Sequence, residues 1–339
     1  MRTPAYRLTL GEQIVDTTDE PLASTVTRLE VSLDLEPRAD RFLLDLGRVG
    51  SFEPRVGDRA VLELGYADSE LVEVMRGAVV SRRPGIHTVE IRGHGLAQDL
   101  LHFFTDRTFL GTTAGGIVRA LADGAGVAVA RVEDGPELPA YVVDGRLSAY
   151  RHMAELAELS GFDLYLNAAG ELVFERFAGG QTAHVFASGE HLLALETRDS
   201  ARAAGEVEAW GEGPGAGRGE HSWAWLSKNF GPRRGSAGSG EPVRRLRNPA
   251  LRTAAAAQPA ALALHRALEA QRLRGRLLAP GRPEVKLGDS IRLRSLPDED
   301  RGAFFPGTFF QVCAVHHSLT KAGGLTTAVD FRSLPEGAS

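Results

Sequence analysis

The sequence predicts an α+β fold, mainly β, in which a small α/β domain is inserted between two similar small antiparallel β-barrel domains. Three observations carry this expectation. A stretch near the C-terminus, Val285 to Arg332, is a lengthened copy of one near the N-terminus, Val56 to Arg92. Both copies alternate polar and apolar residues with period two, the pattern of half-buried strands. Helical periodicity first enters after Thr105, between the two copies.

The repeat is read from three landmarks in order. Gly57-Asp58 matches Gly288-Asp289, glycines recur 20 residues on at Gly77 and 19 on at Gly307, and Val89-Glu90-Ile91-Arg92 matches Val329-Asp330-Phe331-Arg332. Gly-Asp ahead of a strand marks a tight turn, because Gly tolerates positive φ and the Asp side chain bonds nearby backbone. A three-strand meander with one apolar face must bury that face, by closing into a barrel or by packing on another layer.

At 339 residues the chain exceeds one core, and two or three domains are expected. A hydrophobic content of 43% with 24% charged residues places it among soluble globular chains rather than disordered ones. The formal charge of −5 is uneven: Gly213 to Arg282 holds 13 Lys or Arg against 3 Asp or Glu, leaving the remainder acidic. With Cys313 as the only cysteine, no intrachain disulfide and no cysteine cluster for zinc is expected. The N-terminal residues lack the apolar run of a signal peptide and no run is long enough for a membrane helix. The chain is expected to stay in a reducing cytoplasm unless other machinery exports it.

Taken in order, residues 1–104 form the first barrel domain, with strands expected at Tyr6–Thr17, Leu22–Leu35 and Asp40–Leu46 before the first repeat, and no helix. Residues 105–180 form the inserted α/β domain. Its first helix is capped by Thr112 or Thr113, with Ile117, Val118 and Leu121 inward. After a strand at Val127–Val132, a second helix runs from the cap Ser148 to Gly161, with Met153, Leu156 and Leu159 inward. A hairpin with Asn167 and Gly170 flanking its turn closes the domain. Residues 181–339 form the second barrel domain. It starts with strands at His191–Thr197 and Gly205–Trp210, and a long basic loop of low order, 211–250, follows, with Trp223 and Trp225 either pinning it to the body, the favoured reading, or anchoring a partner. An Arg-rich helix of about five turns, about 259–279, then starts at Pro259 as its first residue.

Chemistry is sought and not found. His316 and His317 are adjacent on a strand and point to opposite faces, so they do not share one metal ion. Asp298, Glu299 and Asp300 crowd a hairpin tip without the alternate spacing of a calcium loop. The glycines of Gly211–Gly219 precede no helix, which removes the dinucleotide-binding reading, and the run Gly235–Gly240 lacks the order of a nucleophile elbow. The carboxylates are scattered through alternating strands without an acid/base pair, and the arginines are not interleaved with aromatics as a nucleic-acid platform requires. No catalytic residue, cofactor or metal is expected.

The order of parts, ending in Gly288-Asp289, Gly307–Phe310, Val315-His316 and Thr327–Phe331, resembles the late control protein D family of contractile phages. That family includes baseplate hubs of phage tails, R-type bacteriocins and contractile injection systems, and the N-terminal half of VgrG spikes. The resemblance covers most of the chain, with Leu287 standing where the family often has proline. It implies a homotrimer whose two barrels per chain make a pseudo-sixfold ring joining a sixfold tail tube to a threefold spike, a role that needs no catalytic residue. The implied partners are the tail tube protein, a separate spike and other baseplate proteins, with no nucleic acid and no membrane insertion. Arg233, Arg234, Arg244, Arg245 and Arg247 of the basic loop are the candidate partner-interface residues. A cell-wall hydrolase or carbohydrate-binding module, and a VgrG-like spike base, are the alternatives.

Overall fold

The computed structural model describes residues 2–18, 25–35, 40–47, 52–179, 182–211, 231–296 and 309–334. Trp223, Trp225, Asp298, Glu299, Asp300 and Gly307, and the glycine tract beyond Gly211, lie outside these residues.

The first copy is built from β1 (Pro4–Leu10), β2 (Gln13–Asp16), β3 (Val26–Asp34), β4 (Arg41–Gly47), β5 (Arg59–Tyr66), β6 (Val72–Pro84) and β7 (Thr88–Gly95), in the order β3-β4-β7-β6-β5-β1-β2. The expected single strand Tyr6–Thr17 is a hairpin turning at Gly11. One short helix, α1 (Ala97–Leu101), ends this stretch where none was expected, packing Ala97 and Leu100 into the helical layer.

That layer continues with β8 (Arg107–Thr113), α2 (Ala114–Ala125), β9 (Val129–Val132), β10 (Glu137–Val143), α3 (Ala149–Ser160), β11 (Asp163–Leu166) and β12 (Leu172–Glu175). The Thr113 side chain accepts from Gly116 N, capping α2, and Gly161 ends α3 at φ 68°. Ile117, Val118, Leu121, Met153, Leu156 and Leu159 are buried as their spacing requires. The β8–β10 ladder was not anticipated, because its sequence lacks clean alternation.

The chain then returns to the sheet through β13 (Ala183–Ala187) and β14 (Ala194–Asp199), and leaves it again for β15 (Glu206–Trp210), β16 (Gly235–Gly238), β17 (Val243–Arg247) and α4 (Ala254–Ala270). Residues 231–250 are therefore ordered, not a loop. β16 and β17 flank β15, antiparallel and parallel respectively. Their apolar pattern is faint because the contact is built from small side chains: Ala209 faces the alanine stripe Ala256, Ala257, Ala260 and Ala261 of α4, and a Cβ on Gly235 would stand 2.4 Å from the Ala257 backbone.

α4 corrects the expected helix at both ends. It starts five residues before Pro259, capped by the Thr253 side chain accepting from Ala256 N, and carries Pro259 inside. The run of alanines supplies the propensity that tolerates one lost hydrogen bond. The expected last two turns are instead strand β18 (Leu273–Pro280), where Leu277 and Ala279 alternate inward. Last come β19 (Ser290–Arg294), β20 (Phe310–Thr320) and β21 (Gly324–Ser333).

The second copy follows the order β14-β18-β21-β20-β19-β13, strand for strand that of the first, β3-β4-β7-β6-β5-β1. One pairing differs: β1 runs antiparallel to β5, and β13 parallel to β19. The copies are not separate sheets. β20 pairs antiparallel with β3, giving one 13-stranded sheet whose path, among the described residues, runs from β14 to β2 without closing. Its core is one cluster from Tyr6 to Phe331, and a second cluster fills the helical layer.

The Gly-Asp corners are duplicated in detail. Gly57 and Gly288 have φ of 94° and 83°, and the following Asp oxygens accept from Arg55 N at 2.7 Å and Lys286 N at 3.0 Å. Asp58 O and Asp289 O then receive Val79 N and Val312 N, at 2.9 and 3.0 Å. One residue past these valines both copies are irregular, between Val79 and Ser81 and between Val312 and Ala314.

This register corrects two landmarks of the sequence alignment. Gly77 pairs with Ala60 as Phe310 pairs with Ile291, so Phe310 and not Gly307 holds the place of Gly77. Ile91 stands opposite Arg82 as Val329 stands opposite Val315, so Val329 and not Phe331 matches Ile91. The second correction is a slip of two residues, which leaves every side chain on its own face, so period-two alternation cannot detect it; the first, of three residues, comes from matching glycine to glycine where the copies differ in residue type.

Candidate assembly interface

Three places gather polar side chains with structural consequence: the seam between the copies, a groove between sheet and helices, and the basic sheet β16-β15-β17.

At the seam β20 and β3 align over Ala314↔Asp34 to Thr320↔Arg28. His316 Nδ1 lies 2.9 Å from Ser32 Oγ across it, while His317 turns inward to Thr327 Oγ1 at 3.0 Å. The two imidazoles occupy opposite faces, as adjacent strand residues must. Burial lowers the pKa of His316, and lowers that of His317 to about 3, with the neighbouring His316 adding to the effect. His317 is a neutral core group. Near the start of the seam Asp40 is buried, its Oδ1 accepting from Asp34 N at 3.2 Å. Desolvation raises its pKa to about 7 against the pull of that hydrogen bond.

The groove, of about 1330 Å³, opens between α3 and α4 on one side and β14, β18 and β21 on the other. Inside it Asp163 of β11 receives Arg332 Nη2 at 2.9 Å and the Gln311 side-chain amide. Burial raises the Asp163 pKa, opposed by Arg332. Since Arg332 and Gln311 sit on β21 and β20, this ion pair ties the helical layer to the second copy. Cys313 also borders the groove, and burial pushes its thiol up to about 12, away from reactivity at neutral pH.

The five candidate arginines divide. Arg245 Nε stands 3.2 Å from Glu208, to which Arg234 also binds, so one carboxylate holds two of them. Arg245 and Arg247 stand opposite Glu208 and Trp210, on one face of β17. Arg244 stands opposite the buried Val207 and belongs to the other face. Arg233 lies on the single 3₁₀ turn Gly231–Arg233. Behind them Glu155 of α3 accepts from both Tyr141 and the Asn248 amide, anchoring the end of β17 to the helical layer. Sequence reading missed the Asp163–Arg332 pair, whose only signal is a carboxylate at the start of an otherwise apolar hairpin strand.

Among the described residues no group of three or more His, Cys, Asp or Glu side chains is placed to hold a metal ion, and no helix is long and apolar enough to cross a membrane.

No protein-family model and no curated protein matches the sequence. Solved structures do match. The chain resembles the 43 kDa tail protein of prophage MuSo2 from Shewanella oneidensis, with a TM-score of 0.72 and 16% identity over 96% of this chain and 98% of that one. It resembles equally a tail protein from Neisseria meningitidis MC58, with a TM-score of 0.71 and 14% identity over 97% and 96%. A component of the Escherichia coli type VI secretion system, described as structurally similar to T4 bacteriophage tail proteins, matches with a TM-score of 0.59 and 11% identity over 97% of this chain and 77% of that one. The fold is therefore that of phage tail and VgrG-type proteins.

Proposed function

We propose that this chain, which shares its fold end to end with phage tail proteins, is a structural baseplate hub of a contractile injection particle. Three copies form a ring that adapts a sixfold inner tube to a threefold spike. The observation that carries this reading is the duplicated half: two copies with the same strand order, the same Gly-Asp corners and the same irregularity, joined edge to edge in one sheet. Three chains of two copies present six similar units around one axis, and closed rotational symmetry repeats each contact. The copies meet the tube as equivalents. The helical layer of 105–180 and the basic sheet occur once per chain and suit threefold or peripheral partners. Arg233, Arg234, Arg244, Arg245 and Arg247 are the residues proposed to face such a partner. The chain acts by shape and interface; among the acids that line the groove, Asp163 is engaged by Arg332 and Gln311 in a structural tie.

The test is the mass and symmetry of the purified chain, by light scattering with electron-microscope class averages, alone and with a candidate spike protein from the same source. A ring of three with six peripheral lobes is expected. A monomer under both conditions removes the adaptor reading.

A further inference from the structure

We propose that the groove between α3, α4 and the strands β14, β18 and β21 is a docking site for a peptide segment of a partner protein, one that carries acidic residues beside an apolar side chain. The partner is taken to be another chain of the same particle, and in that respect the inference rests on the reading above.

The cations come from cross-strand register. Arg198 of β14 stands opposite Arg274 of β18, Arg274 stands opposite Arg332 of β21, and all three line the groove. Like charges directly opposite one another on a sheet are destabilising. Asp163 meets the charge of Arg332 at 2.9 Å. Arg198 and Arg274 are exposed, and their side chains make no ion pair or hydrogen bond among the described residues.

The helix adds a third such cation. Ser333, next along β21 from Arg332, donates its hydroxyl to the Ala270 carbonyl at 3.2 Å, so the last turns of α4 cross the sheet at the arginine row. Arg266, one turn before Ala270, lines the groove and also lacks an ion pair among the described residues. Leu262, a further turn back and 38% exposed, brings apolar surface to the same wall. Phe177 and Leu334 extend that surface.

The neighbouring row is balanced. Glu196, Arg276 and Asp330 stand opposite one another in the same three strands, acid, base and acid, and Glu158 of α3 lines the groove as well. Positive charge is therefore confined to one row and bounded by carboxylates.

That layout selects the class of ligand. A nucleic-acid strand carries its charge at every nucleotide and would meet Glu158, Glu196 and Asp330 as well as the arginines. A small anion would satisfy the arginines but leave the apolar wall bare, and the groove, about 1330 Å³, exceeds the roughly 300–1,000 Å³ of a small-molecule pocket. A peptide places charge and apolar surface at separate points along its length. Arginine clusters are a recurring means of reading acidic motifs, since each guanidinium can hold a carboxylate through two hydrogen bonds.

Selection from a displayed library of random short peptides tests the site. The full chain is the bait, and the Arg198→Glu, Arg274→Glu double variant is the counter-bait, with its fold checked by thermal unfolding. The enriched peptides are expected to carry neighbouring Asp or Glu residues beside Leu, Ile or Phe. In fluorescence anisotropy their synthetic forms are expected to bind roughly five- to tenfold more weakly to Arg274→Ala and to Arg266→Ala, and more weakly to Leu262→Ser. The Arg274→Ala protein is expected to unfold at or above the parent's temperature, because a like-charge neighbour is removed; an arginine with a merely structural role would lower it. Enrichment of peptides without acids, displacement by inorganic phosphate or by a short oligonucleotide at equal concentration, or no peptide that distinguishes the chain from the double variant overturns the docking site. Light scattering on the same preparations reads the ring separately. A ring of three without groove-dependent peptides keeps the hub reading and removes this inference, whereas a monomer that selects acidic peptides removes the ring and keeps the groove.

Discussion

Asp40 makes stability depend on pH in a direction opposite to the usual carboxylate. Its folded pKa, about 7, lies above the ordinary value of 3.8, so the folded state holds a proton that the unfolded chain has lost between those limits. The contribution is fully present below about pH 4 and is lost as pH rises towards about 7. Asn keeps the acceptor for Asp34 N without the charge. The Asp40→Asn variant is thus expected to gain on the parent as pH rises from about 4 to about 7, by up to about 4 kcal/mol, in urea melts across that range. His317, lowered to about 3, contributes the opposite slope in both proteins and cancels in the comparison. The corner glycines give a second residue-scale prediction. Both have positive φ, yet a Cβ at Gly57 meets nothing within 4 Å, while one at Gly288 would stand 2.2 Å from the Tyr165 hydroxyl. Gly57→Ala is expected to cost about 1 kcal/mol from backbone strain alone, and Gly288→Ala about 2–3 kcal/mol once overpacking is added, measured by thermal unfolding.

Among elements, the two copies solve one packing problem with the same two residue types exchanged between strands. In the first, Phe42 of β4 lies over Gly93 of β7, where a Cβ would sit 1.9 Å from its ring. In the second, Phe331 of β21 lies over Gly275 of β18, where a Cβ would sit 2.5 Å from its ring. Each aromatic covers a cross-strand glycine. Gly93→Ala is expected to destabilise by about 2–3 kcal/mol, and Gly93→Ala with Phe42→Leu by less than the sum of the two single changes, because the smaller side chain removes the ring overlap and leaves only the 2.6 Å approach to Ala78 O. Chemical denaturation of the four proteins checks this. A sequence alignment keyed to shared glycines fails here, since glycine on one strand corresponds to phenylalanine in the other copy.

At the scale of the whole molecule, the helical layer is attached to the second copy through Asp163 and Arg332, 2.9 Å apart. Arg332→Ala leaves a buried carboxylate with only the Gln311 amide and is expected to cost about 2–4 kcal/mol. Replacing both partners, Asp163→Leu with Arg332→Met, is expected to cost less than that single change. Hydrogen exchange should show the Arg332→Ala loss in β11 and β12 before it reaches β3 and β4.

The amino-acid sequence by itself determined the elements whose signals are local. The mainly β character, the duplicated Gly-Asp corners, a threonine cap at 112 or 113, the Gly161 stop and the β11–β12 hairpin follow from turn chemistry and short-range periodicity within one segment. It did not determine the alignment of the copies within their strands, since alternation repeats every two residues and a slip of two is invisible to it. The α4–β18 boundary was hidden because leucines four apart suit a helix face and a strand equally until a partner strand is present. The ladder of 231–250 was hidden because its contact with α4 is made by Gly and Ala, which carry almost no apolar signal. That both copies share one sheet was decided by the β20–β3 hydrogen bonds, which join residues nearly the whole chain apart and exist only once the tertiary structure brings those edges together.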